Sequence, residues 1–400
     1  MNDNDLAAAS GLPMAEPGQS GFGQARLARL TSAFQREIDA GRVPGATMMI
    51  ARGGKLAYAA SLGALAPGGP AMASDAIFRI YSMTKPIVSV ALMSLVEEGR
   101  LALSDPLAKY VPDFERMDVG VENGARLELA PAQAPITIHD LMRHMSGFSY
   151  GFTGNSLVQK LYQRATLYGG GMTSADFCAA LAKLPLKNQP GCAWEYSHAT
   201  DVVGRVVEIV AGQSLGAFLR ERIFAPLGMK DTGFFVPPEA LPRVAEAFAQ
   251  DRDSGLPIQL IPIRKPPHFE SGGGGLVSTL ADYARFLSML RGGGALGAAR
   301  ILGRATVSFM TSDHIPPGAP IDHAILQPGH GFGLGFSVRP QAGLAPSIGT
   351  PGEYAWGGWA GTAFWAAPQE DFFAVLMLQA PEQRDFFRAL FRHHVYGALE

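Results

Sequence analysis

The sequence predicts an α+β fold: an antiparallel β-sheet flanked by helices, with an inserted helical domain. Three observations predict it. Strand-like stretches bounded by Gly or Pro lie towards the two ends of the 400-residue chain, at 46–59 and 331–379. The block from 105 to 237 shows helical spacing and Gly- or Pro-bearing turns, with no convincing strand pattern. Consecutive strands joined by short turns are usually antiparallel neighbours, so both ends of the chain build one sheet around the insert. The expected division is a flexible arm at 1–20, a discontinuous body at 21–104 and 238–400, and a mostly helical domain at 105–237, with a cleft between the last two.

Taken in order, residues 24–41 read as an amphipathic helix with Leu27, Leu30, Phe34 and Ile38 on one face and Gly41 as its stop. Residues 46–51 and 55–59 flank Arg52-Gly53-Gly54 as a hairpin. In 84–98, Ile87, Val90, Ala91, Met93, Leu95 and Val96 recur at helical spacing, and Gly99 ends the run. Pro86 suits a first turn, where its missing N–H has no intrahelical partner. In the insert, Thr137-Ile138-His139-Asp140 has the form of a capping box opening a short helix that stops at Gly147. Further helices are expected at 157–167, 173–184, 200–211 and 215–223. Thr279 caps a helix over 280–292. Strands are expected at 331–339, 353–366 and 372–379, and a closing helix at 385–399, so that the two terminal helices cover one face of the sheet.

Apolar residues make up 47% of the chain and charged residues 17%, which is ample for a large core, and the net charge is −2. That balance argues against nucleic acid or an anionic membrane surface as a partner. The first twenty residues hold Asp3, Asp5 and Glu16 and no basic residue, so no secretory signal is expected. No window of about 18 apolar residues suggests a membrane span. Cys178 and Cys192 are too few for a disulfide framework or a zinc site. A reduced, cytoplasmic protein is the expectation. The oligomeric state is not legible.

Ser82 and Lys85 stand at i and i+3 where the second helix begins, so a hydroxyl and an amine meet on one face. A serine needs a base to become a nucleophile, and a neighbouring lysine can serve as one. Two Gly-x-Ser-x-Gly matches compete, at Ser149 and Ser214. A nucleophile elbow needs a strand before the serine, and both follow helices, so both read as decoys. Tyr196, in a loop just ahead of the 200–211 helix, can aim a phenol into the cleft as a second base. His198 is the alternative base, with His139, His144 and His268 as further imidazoles. No metal-binding spacing occurs. Trp356-Gly357-Gly358-Trp359 lies on an expected strand, where glycines often mark close approach of another group to the backbone. Backbone N–H groups from this strand and from Ser82 would together form an oxyanion hole.

These stretches in this order resemble the serine β-lactamase and penicillin-binding-protein superfamily, and most of all the family VIII carboxylesterases. The likeness runs over residues 26–396. It rests on 78–85, His144-Met145-Ser146-Gly147, Trp194-Glu195-Tyr196-Ser197, Pro226-Leu227-Gly228-Met229, 271–278 and Trp356-Gly357-Gly358. The resemblance implies a β-lactamase/transpeptidase-like α+β body. It implies Ser82 as acylated nucleophile, Lys85 as its partner, Tyr196 as proton relay, and the Ser82 and Trp359 N–H groups as the oxyanion hole. It implies no metal or organic cofactor. Two departures matter: His198 stands where the lactamases carry Asn in Tyr-x-Asn, and Trp356-Gly357-Gly358 replaces their Lys-Thr-Gly. An indole cannot pair with a carboxylate as an ammonium can.

The expected activity is therefore a serine carboxylesterase acting on small neutral esters with short acyl or aryl groups. Phe148, Tyr150, Trp356, Gly357, Gly358 and His198 are the expected substrate-binding residues. A β-lactamase or D-amino-acid peptidase, or an acyltransferase, using the same Ser-Lys-Tyr machinery, is the alternative.

Overall fold

Every side chain of Phe372–Leu378 is buried, as its unbroken apolar run demands of a strand covered on both faces. Around it the computed structural model, which describes residues 3–16, 18–169 and 171–400, builds one seven-stranded sheet. The chain enters through α1 (Asp3–Ser10), α2 (Gln24–Asp39) and the hairpin β1 (Gly45–Arg52) and β2 (Lys55–Gly63). The short strand β3 (Ile77–Arg79) leads to α3 (Thr84–Glu97). The middle block holds the hairpin β4 (Asp118–Asn123) and β5 (Arg126–Pro131), then α4 (Ile138–Met142), α5 (Leu157–Arg164), α6 (Ser174–Leu181) and α7 (Ala199–Ala211). It closes with α8 (Leu215–Leu219) and α9 (Ala225–Leu227), joined by a π-helical turn.

The chain returns through β6 (Val277–Thr279), which pairs antiparallel with β3. Then come α10 (Leu280–Arg291), the small hairpin β7 (Ala295–Leu296) and β8 (Ala299–Arg300), and α11 (Arg304–Met310). Strands β9 (Gly331–Phe332), β10 (Ser337–Val338), β11 (Tyr354–Gly357), β12 (Ala363–Ala367) and β13 (Phe372–Leu378) precede the closing helix α12 (Arg384–Ala398). The sheet order is β2-β1-β13-β12-β11-β10-β9, antiparallel throughout, so the two ends of the chain meet where β1 pairs with β13.

Side-chain alternation divides the sheet into two faces. Met48, Ile50, Ala374 and Leu376 face α2 and α12, which bring Leu27, Leu30, Phe34, Phe387, Phe391 and Val395. Met49, Phe373, Val375 and Met377 face the other way, into the core that contains α3 and α10. Each fully buried Phe or Leu here stabilises the fold by about 1.5–3 kcal/mol. Residues Thr84 to Leu95 of α3 are all buried, because the helix packs against α7 and α8 inside the main core. A helix buried all round holds its first turn rigidly; that turn carries Lys85, and Ser82 lies in the 3₁₀ turn, Tyr81–Met83, that runs into it.

Four expectations need correction. The arm is not free: α1 lies against α10, Leu6 and Leu12 are buried, and residues 13–15 bond to Leu56. Residues 1, 2 and 17 of that arm lie outside the described residues. The middle block does hold strands, the β4–β5 hairpin; most of its side chains are exposed on both faces, so no one-sided apolar alternation marks it. The strand expected at 331–339 is two short ones, broken at Gly335, whose φ is +96°. The strand expected at 353–366 is the hairpin β11–β12, turned at 358–362.

Candidate active site

Ser82 sits on a sharp corner between β3 and α3. Tyr81 adopts φ +43°, a left-handed conformation that costs a non-glycine residue on the order of 1 kcal/mol or more. Its hydroxyl holds the corner by accepting from the Ile261 N–H at 3.0 Å. Thr84 Oγ1 accepts from the Leu276 N–H at 3.1 Å, and the Ile80 N–H donates to Leu276 O at 3.0 Å. The corner leaves Ser82 half-buried while Met83, Thr84 and Lys85 are fully buried.

The Lys85 ammonium nitrogen donates to Gly273 O at 2.7 Å and to Ser82 Oγ at 3.2 Å, and lies 3.5 Å from the Tyr150 hydroxyl. Three such contacts match the three donors of an ammonium. The same nitrogen stands 4.5 Å over the Tyr196 ring. The Tyr196 hydroxyl is hydrogen-bonded to Ser82 Oγ at 2.7 Å. Ser82 and Lys85 thus share one cluster with Tyr196, which lies more than a hundred positions further along the chain.

The loop carrying Tyr196 is fixed on both sides. The Trp194 N–H donates to Pro320 O and the Glu195 N–H to His144 O, each at 2.9 Å. His144, at φ +56°, lays its ring 5.0 Å from that of Tyr196, with Nδ1 3.1 Å from Ser197 Oγ. Burial, helped by the Lys85 charge, lowers the His144 pKa well below the usual 6.5, so it packs as a neutral ring. Glu195, buried, accepts from Ser149 Oγ at 2.6 Å, Gln159 Nε2 at 3.1 Å and Lys187 Nζ at 2.8 Å. It binds the Tyr150 loop to the Tyr196 loop.

His198 does not touch Ser82. Its Nδ1 is 2.8 Å from the Tyr168 hydroxyl and 3.6 Å from Asp201, and its ring lies 4.2 Å from that of Tyr150. Burial lowers its pKa against the pull of Asp201. Asp201 accepts from Ser271 Oγ at 2.5 Å and from the Gly273 N–H at 2.9 Å. Burial favours its neutral acid, yet His198, Ser271 and the Lys85 charge outweigh burial and keep its pKa below the usual value. Burial raises the Tyr150 pKa well above 10, so Tyr150 remains a phenol near neutral pH.

Trp356 is half-buried, its indole 5.4 Å from the Tyr196 ring and 5.3 Å from Phe332. Gly357 and Gly358 make room for the protein itself. A Cβ on Gly357 would fall 2.6 Å from Arg388 Nη2, and one on Gly358 would fall 2.4 Å from Ile80 O. Trp359 lays its exposed ring 5.5 Å from that of Tyr81. Among the described residues, neither the Ser82 nor the Trp359 N–H donates to another protein group.

Phe148 is corrected: it is fully buried against Phe114 and cannot line a cleft. Ser149 is also fully buried, its hydroxyl given to Glu195, and Ser214 caps α8 by accepting from the Ala217 N–H at 3.2 Å. His139 pairs with His314 at 3.0 Å, and His268 is exposed. No group of three metal-ligating side chains converges among the described residues, and no single described helix is long and apolar enough to cross a membrane. Sequence reasoning missed Asp201, Glu195, the Gly273 carbonyl and the Arg388 guanidinium. The Ser271–Gly275 stretch is the one signal, since glycines in a row mark close approach.

The Beta-lactamase family profile matches residues 30–397. Protein Rv1367c of Mycobacterium tuberculosis is 36% identical over 355 residues, 86% of this chain and 88% of its own. Esterase EstB of Burkholderia gladioli is 31% identical over 354 residues, 83% of this chain and 84% of that protein. Among solved structures, EstCE1, described as a hydrolase with promiscuous acyltransferase activity, matches with TM-score 0.78 at 28% identity. That match covers 94% of this chain and 99% of the other.

Proposed function

Because the chain belongs to the beta-lactamase family, we propose that it is a serine carboxylesterase, hydrolysing small neutral esters through an acyl-enzyme on Ser82. The observation that carries this reading is Ser82 Oγ itself, half-buried and within 2.7 Å of Tyr196 and 3.2 Å of Lys85. Ser82 Oγ attacks the ester carbonyl carbon as its proton passes to Tyr196, which reacts as a phenolate held beside the Lys85 ammonium. The carbonyl π pair moves onto oxygen, and the Ser82 and Trp359 N–H groups receive that oxyanion. On collapse the bond to the alcohol oxygen breaks, and Tyr196 returns the proton to it. Water repeats the sequence on the acyl-enzyme and releases the acid.

Two features favour a neutral ester over an anionic lactam. Trp356 offers an indole where a lysine would pair with the substrate carboxylate. The exposed rings of Phe152, stacked on Tyr150 at 4.8 Å, and of Trp359 suit an apolar acyl or aryl group. Initial rates on p-nitrophenyl acetate, p-nitrophenyl butyrate and nitrocefin, in wild type and Ser82→Ala, test the proposal. Esters are expected to outpace the lactam, and Ser82→Ala to lose roughly 10⁴-fold or more in kcat. Lactam turnover equal to ester turnover, or full esterase activity in Ser82→Ala, overturns it.

A further inference from the structure

The turn between β11 and β12 owes its shape to a side chain from the far end of the chain. Arg388, on α12, sends Nη2 to the Gly358 carbonyl and also, at 3.2 Å, to the Thr362 carbonyl. The turn closes on itself through the Gly358 N–H to Thr362 O at 2.8 Å and the Gly361 N–H to Gly358 O at 3.0 Å. Gly357 lacks a side chain where the guanidinium lies, and a methyl there would stand 2.6 Å from Nη2. The Arg388 side chain is 28% exposed, and its acidic neighbour Asp385, at 3.6 Å, is itself 82% exposed. Most of what Arg388 binds is therefore backbone.

The Gly358 carbonyl and the Trp359 N–H belong to the same peptide unit. That unit is planar and trans, so the two groups point in opposite directions. A cation donating to the carbonyl oxygen draws electron density from the amide nitrogen and makes its N–H a stronger donor. It also fixes the plane in which that N–H lies. Across the turn, Thr362 Oγ1 donates to Ile80 O at 3.4 Å and Trp359 packs on Tyr81, so the peptide is held against the corner that carries Ser82.

We infer that Arg388 is the positioning residue of the oxyanion hole, orienting and polarising the Trp359 N–H through the Gly358 carbonyl. The inference rests on the serine-esterase reading above. Arg388 acts through the peptide and does not touch the substrate. Burial lowers its pKa to about 10, so it is still a cation across the neutral range. The planar Nη2 group aims its two N–H bonds at the two carbonyls in a fixed plane, where an ammonium offers only a point charge.

Steady-state kinetics on p-nitrophenyl acetate for wild type, Ser82→Ala, Arg388→Met and Arg388→Lys test it. A lost oxyanion donor costs roughly 10²–10³ in kcat, and a donor merely weakened and loosened should cost less. Arg388→Met is expected to lose roughly 10- to 100-fold in kcat with KM nearly unchanged, and Arg388→Lys to recover part of that loss. Affinity for a phenylboronic acid, which forms a tetrahedral adduct on a serine, should weaken in Arg388→Met by a similar factor. Unchanged kcat in a Ser82-dependent enzyme overturns the inference alone, as does a rise in KM with no change in kcat. Wild-type rates in Ser82→Ala overturn the inference together with the reading beneath it. Should Arg388→Met not fold, Arg388→Gln reads the same quantity: an intermediate kcat at constant KM supports the role, and a wild-type kcat overturns it.

Discussion

Lys85 and Asp201 meet through one glycine. The carbonyl of Gly273 accepts the Lys85 ammonium at 2.7 Å, and the N–H of Gly273 donates to Asp201 Oδ1 at 2.9 Å. Asp201 is buried, and the Lys85 charge is among the groups that hold its carboxyl below the usual pKa. Asp201→Asn keeps the shape and an acceptor but removes the charge. About a tenfold fall in kcat on p-nitrophenyl acetate is expected, with little change in KM. Asp201→Ala leaves the buried Gly273 N–H without a partner and should also cost about 1–3 kcal/mol in urea unfolding. A wild-type kcat in Asp201→Asn would show that the Gly273 carbonyl holds Lys85 without help from the Asp201 charge.

Ser149 has the sequence of a nucleophile and the surroundings of a strut. Its hydroxyl is fully buried and donates to Glu195, which Gln159 and Lys187 also bind. Ser149→Ala should therefore hydrolyse esters at the wild-type rate within about twofold and lose about 1 kcal/mol of stability. Ser214→Ala should also stay active, losing about 0.5–2 kcal/mol as the cap of α8 is removed. Glu195→Ala is the damaging change, because it removes the buried acceptor that Lys187, Ser149 and Gln159 share and leaves the Lys187 charge without its partner. Chemical denaturation beside initial rates separates the three variants.

The residues close together in sequence are legible there, and those brought together by the fold are not. Ser82 and Lys85 lie one helical turn apart, so local geometry alone joins them. Tyr196 sits 114 positions from Ser82; its loop placement makes it one candidate base beside His198, and the family resemblance is what singles it out. The Gly273 carbonyl, 188 positions from Lys85, is a backbone group that any residue could supply, so no side-chain pattern announces it. Phe148, an aromatic near a motif, invites a place in the cleft; an apolar residue beside a motif is as readily core, and here it meets Phe114. The sheet is legible because β1 and β13 carry long apolar runs, whereas the β4–β5 hairpin exposes both faces and lacks the alternation that marks a half-buried strand.

His139 and His314 form a neutral pair that acid should break. Nε2 of His139 lies 3.0 Å from Nδ1 of His314, whose own Nε2 is 2.8 Å from the Phe309 carbonyl. With His314 donating to that carbonyl, its Nδ1 is the acceptor and His139 the donor, tautomers assigned from the network. Burial, with the Arg143 and His314 charges, lowers the His139 pKa to about 4. The folded value lies below the ordinary 6.5, so this contribution to stability is complete above pH 6.5 and is lost as pH falls through 4. His139→Gln should show a smaller drop in Tm than wild type between pH 7 and pH 4.5. An equal drop in both would place the acid sensitivity elsewhere.

Trp359 separates the work of a backbone from that of a side chain. Its ring is 39% exposed and touches Tyr81, while its N–H is free among the described residues and shares a peptide with the Gly358 carbonyl that Arg388 holds. Trp359→Ala keeps the N–H. It should retain kcat on p-nitrophenyl acetate within about threefold, while KM for longer acyl esters rises as the apolar rim is lost. Trp359→Pro deletes the N–H, and the residue before it is a glycine, which tolerates a following proline better than most. Loss of one oxyanion donor should lower kcat by roughly 10²–10³ with acetate as well as with longer esters. If Trp359→Ala falls as far as Trp359→Pro, the indole and not the N–H is what the reaction uses, and the oxyanion would have to be met by Ser82 and another donor.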